Sequence, residues 1–129
     1  MLVESNSVQH QAIAHQYIFC APERGIQPQD GDQAKIRIPP ASRVLFGTIE
    51  VDSAFDTLST LDVGVEGDLG RFATNIPLDI AGTTFLIGLP QKFINGTSII
   101  ITFNNDTASI GEATVRVGYE VDGRTQRIQ

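Results

Sequence analysis

The segment Glu112-Ala113-Thr114-Val115-Arg116-Val117-Gly118-Tyr119-Glu120-Val121-Asp122 alternates at every residue between two sets. Ala113, Val115, Val117, Tyr119 and Val121 are apolar, and the residues between them are charged, hydroxylic or glycine. A period of two is the repeat of an extended strand with one buried and one wet face, and Val and Tyr favour that pleated geometry. A strand that is wet on one side belongs to an antiparallel sheet rather than to a parallel sheet covered by helices.

Working outward, the same grammar recurs. Leu61, Val63 and Val65 oppose Thr60, Asp62 and Gly64 within Leu58 to Val65, and Gly67-Asp68-Leu69-Gly70 reads as the turn that ends it. Arg43 to Val51 is β-rich, with Val44, Phe46 and Thr48 expected on one side and Leu45, Ile49 and Val51 on the other; Gly47 marks a bulge or a close approach. Thr97 to Phe103 is bounded by Asn95-Gly96 and by Asn104-Asn105-Asp106. Shorter strands are expected at Lys35 to Ile38, Ile76 to Ile80 and Thr83 to Leu89. Val8 to Phe19 fits a helix only loosely, and Ala12 to Phe19 reads better as a strand.

About eight strands result, separated by Gly and Pro turns, which is the pattern of an antiparallel jelly roll or β-sandwich. Residues 1–34 are read as an N-terminal arm and loop, because Ala21 to Ala34 carries Pro22, Gly25, Pro28 and Gly31 and few large apolar side chains. Residues 35–129 then form the sandwich domain.

One strand departs from the one-wet-face rule. Ile99, Ile100 and Ile101 set β-branched apolar side chains on both sides of the same strand, and an uncovered second face would be an aggregation hazard. Either another part of the chain or a neighbouring molecule must cover it. This strand and the N-terminal arm together supply the candidate interface residues: His15, Tyr17, Phe19, Ile99, Ile100, Ile101 and Phe103.

Bulk properties narrow the function. With 129 residues, 41% hydrophobic and 19% charged, the chain is long enough for one domain with a real core. Its net charge of -6 repels phosphate backbones and anionic lipid surfaces, so neither nucleic acid nor membrane is an expected partner. Cys20 is the sole cysteine and cannot close an internal disulfide, which suits a reducing compartment. No export signal is expected from Met1 to His10, and the acceptor patterns at Asn95 and Asn105 read as turns.

Catalytic chemistry is poorly supplied. The histidines are His10 and His15, whose spacing suits neither a metal pair nor a relay. Asp62, Glu66 and Asp68 are the one acidic cluster to weigh as a cation or glycosidase site, but their spacing is not that of a calcium loop. The simpler expectation is that Asp68 caps a turn while Asp62 and Glu66 meet solvent or basic groups. No enzyme activity, cofactor or metal site is expected.

Thr60-Leu61-Asp62-Val63-Gly64, continued by Gly67-Asp68 and Arg71-Phe72, forms a TLDVG-x-x-GD-x-x-RF pattern. It is preceded by IRIP at Ile36 to Pro39 and by V-x-x-G-x-I-E-V at Val44 to Val51. Together these resemble the capsid decoration, or cement, proteins of tailed bacteriophages. The resemblance implies a jelly-roll-like fold, commonly a homotrimer, made in the host cytoplasm and bound to the virion's capsid surface, where major capsid protein subunits meet and are bridged. It implies no catalytic residues. A phage tail or fibre component, or a carbohydrate-binding jelly roll, is the alternative, although the absence of Trp leaves few aromatic platforms for sugars.

Overall fold

A computed structural model describes residues 11–20, 30–104 and 110–121, and for 11–20 it gives the strand path and pairing alone. The elements among these residues are all strands: β1 (Gln11–Cys20), β2 (Gln33–Ile38), β3 (Ser42–Ser53), β4 (Thr60–Val65), β5 (Asp68–Pro77), β6 (Gly82–Phe85), β7 (Gln91–Phe93), β8 (Thr97–Asn104) and β9 (Glu112–Val121).

They form two antiparallel sheets. The first runs β1-β9-β3-β6, with β7 also paired to β3, and the second runs β2-β8-β4-β5. Strands from the two ends of the chain thus interleave, which is the double Greek-key order of a jelly roll and bears out the all-β sandwich. Within the stretch expected as an arm and loop, β1 pairs along β9 from Gln11 opposite Glu120 to Cys20 opposite Glu112, and β2 begins at Gln33.

The core lies between the sheets, as the alternating patterns require. Ala113, Val115 and Val117 of β9 are fully buried and face Leu61 and Val63 of β4 and Ile99, Ile101 and Phe103 of β8 across the gap. Burying such side chains contributes about 1.5–3 kcal/mol each before conformational entropy is set against it. Phe55, from the β3–β4 connection, closes one end by packing on Phe103 with ring centroids 6.1 Å apart.

Three expectations change. In β3, pairing passes from Val44–Tyr119 to Phe46–Gly118, so Leu45 is an extra residue opposite one peptide of β9. That bulge reverses the facing on one side of it: Val44 joins Ile49 and Val51 in the core, and Phe46 points outward. In place of a strand at Ile76 to Ile80, β5 starts directly after the Glu66-Gly67 turn and ends at Pro77. Its pairing with β4 skips residues twice, between Leu61 and Val63 and again between Val63 and Val65, and this destroys the period that would have announced it. Finally, the strand expected at Thr83 to Leu89 stops at Phe85, where the chain leaves the first sheet.

Candidate interaction surfaces

Two members of the acidic cluster make structural contacts, and the third, Glu66, walls a surface depression. The Oδ1 of Asp62 accepts the backbone N–H of Asn75 at 2.7 Å, and Asp68 lies 3.9 Å from the Arg71 guanidinium. Among the described residues no three His, Cys, Asp or Glu side chains converge as metal ligands. Neither is any helix among them long and apolar enough to cross a membrane.

The doubly apolar strand also finds its cover within the chain. Ile99, Ile101 and Phe103 are at most 1% exposed and belong to the core, so they have no surface to offer a partner, contrary to the interface expected of them. Ile100 faces the other way yet is only 5% exposed. It stands between Lys35 of β2 and Gly64 of β4. The extra residues of β5 fold back over Gly64, where a Cβ would collide with the Asp68 carbonyl oxygen. Ile100 therefore sits in a shallow depression walled by Lys35, Glu66, Asp68 and Leu69. His15, Tyr17 and Phe19 pair opposite Val117, Val115 and Ala113, and their side chains lie outside the described residues.

Among the described residues, and apart from Ile94 in the β7–β8 turn, the most exposed apolar side chains gather in two other places. On the outer face of the first sheet Phe46 lies across Gly118, and Phe85, paired with Thr48, stands diagonally beside it. Here β6 and β7 occupy different stretches of the β3 edge, and the chain between them turns to the second sheet, where the Ile87 N–H donates to the Phe72 carbonyl. Arg71 reinforces that link through Nε to Gln91 Oε1 at 2.9 Å. Phe85 is 70% and Ile87 66% exposed, a patch that the edge detour leaves open.

The second place is one end of the sandwich. Phe55 donates its N–H to Leu78 O, Leu78 to Ser59 O, and Asp56 to Ile110 O, so three connections are stitched together. From these loops Leu58, Ile80 and Ile110 project, exposed by 74%, 63% and 59%. None of the three is among the interface residues expected from the sequence, where Leu58 and Ile80 read as strand ends and Ile110, a single apolar residue in a connection, carries no periodic signal.

No protein-family model matches the chain, and a search of curated proteins also finds no match. Solved structures do. A chain of the cyanophage Pam1 capsid asymmetric unit superposes with a TM-score of 0.64 at 18% identity, over 94% of this chain and 93% of that one. A chain of the acidic stable capsid structure of Helicobacter pylori bacteriophage KHP30 gives 0.59 at 14% identity, over 86% and 91%. What is shared is the fold. The match spans most of this chain and most of each neighbour, so each neighbour is a chain of much the same length.

Proposed function

We propose that this chain is a bacteriophage structural protein that binds the outside of the capsid as a trimer and stabilises it by bridging major capsid protein subunits. In this reading it is made in the host cytoplasm and resides on the virion surface. The observation that carries the proposal is the two-way match to a chain of the Pam1 capsid asymmetric unit, supported by the second match in the KHP30 capsid. Two features of the chain suit the task. A jelly roll with non-local pairing gives a stiff block, and exposed apolar side chains at its loop end can meet another protein surface. Each such contact is weak, and many copies on one shell multiply it.

The test uses heads of the parent phage prepared without this protein. Added protein is expected to pellet with the heads to a saturable level and to raise the temperature at which they open. Absence from the pellet at every concentration would remove the proposal. Sedimentation of the free protein addresses the trimer, which a strictly monomeric species at micromolar concentration would exclude.

A further inference from the structure

Among the described residues, the loop end that carries Leu58, Ile80 and Ile110 is also where charge is most one-sided. Strand directions bring the start of β2, β4, β6 and β9 and the finish of β1, β3, β5 and β8 to this end. The charged residues described there are Asp30, Asp32, Asp52, Asp56, Asp79 and Glu112, without a Lys or Arg among them. The opposite end is mixed: Arg43 pairs in register with Glu120, and Arg37 and Lys92 share that end with Glu66.

We infer that this loop end is the surface by which the protein docks on the shell, and that its occupant is a protein patch with an apolar centre rimmed by Lys and Arg. The inference rests on the capsid reading above. Two independent features carry it. Three aliphatic side chains, each more than half exposed, project from loops that backbone hydrogen bonds hold in place, so little ordering is needed on contact. Around them the carboxylates define the sign of the partner by charge complementarity.

The same charges argue against other occupants. Two copies meeting end to end would set carboxylate against carboxylate. A head-to-tail contact would meet a mixed-sign end and would propagate as an open filament, not a decorated shell. Phosphate backbones are repelled outright.

The experiment measures binding to heads that lack this protein for the wild type, for the triple variant Leu58→Ser, Ile80→Ser, Ile110→Ser, for Asp79→Lys, and for the Phe46→Ser, Phe85→Ser pair on the sheet face. These side chains are exposed, and urea midpoints confirm that each variant folds. The triple variant and Asp79→Lys are each expected to bind about 10-fold or more weakly, the scale of removing a contact at an interface centre. The sheet-face pair is expected to bind as the wild type does, and wild-type affinity should fall as NaCl rises from about 50 to about 500 mM, on the order of several-fold, through screening.

Wild-type protein that binds heads together with end variants that bind equally well overturns this inference and leaves the capsid reading standing. The inference also falls, alone, if the sheet-face pair is the only variant to lose binding, if affinity ignores salt, or if the wild type forms growing filaments that the triple variant abolishes. Wild-type protein that ignores the heads overturns both.

Discussion

Asp62, on β4, holds Asn75, on β5, by a 2.7 Å hydrogen bond from the Asn75 N–H to a carboxylate oxygen. Asn75 has φ +54°, at the point where β5 carries one more residue than its partner between the Leu61–Ile76 and Val63–Ala73 pairs. A carboxylate on one strand thus pins a left-handed residue on the next, and the bulge that re-aims β5 depends on it.

Replacing Asp62 with Ala leaves that N–H to solvent and frees the bulge. The expected cost is about 1–2 kcal/mol, read as a lower urea midpoint with unchanged slope. Asn75→Gly should be near neutral, since glycine adopts the same φ without strain, whereas Asn75→Val should cost more than the Asp62 change, because a β-branched residue resists that region.

Gly64 and Gly67 separate two reasons for glycine. A Cβ on Gly64 would press on the Asp68 and Leu69 backbone, which cannot step aside without undoing the fold-back, so Gly64→Ala should cost about 2–3 kcal/mol. Gly67 has φ +88° with open space around it, and Gly67→Ala should cost about 1 kcal/mol from conformation alone. Thermal unfolding of the two variants side by side checks the order, and an equal effect would refute the fold-back account.

Neighbouring isoleucines should respond differently to truncation. Ile101 is sealed between the sheets, and Ile101→Ala is expected to cost about 2–5 kcal/mol as a cavity opens. Ile100 borders an open depression into which water and the Lys35 and Leu69 side chains can relax, so Ile100→Ala should cost about 1–2 kcal/mol. Neither change should alter the sedimentation coefficient of the folded protein, because the chain itself covers Ile100.

Phe46 and Phe85 are exposed on the sheet face, and each Phe→Ser change should shift stability by no more than about 0.5 kcal/mol for Phe85 and about 1 kcal/mol for Phe46, which is 47% exposed and rests on Gly118. Denaturant titration gives both values.

The residues of the TLDVG-x-x-GD-x-x-RF pattern have structural tasks here. Leu61, Val63 and Phe72 fill the core, Asp62 pins the bulge, Gly64 admits the returning backbone, Gly67 makes the turn, and Arg71 bridges to Gln91 of the other sheet. The motif was legible because a bulged hairpin needs particular residues at particular steps. It reports the fold and contains none of the most exposed aliphatic side chains.

The sequence by itself determined the β class, the strands at β2, β3, β4, β8 and β9, and the inward set of β4 and β9, because alternation is a local property that any window of six or more residues displays. Tertiary structure decided the rest. The Leu45 bulge turned Phe46 outward, two irregularities hid β5, and a returning loop covered Ile100; each depends on which strand lies alongside. The acidic, aliphatic loop end exists only because three connections far apart in sequence finish at the same end of the sandwich, and which side chains meet there is fixed by topology, not by any neighbour along the chain.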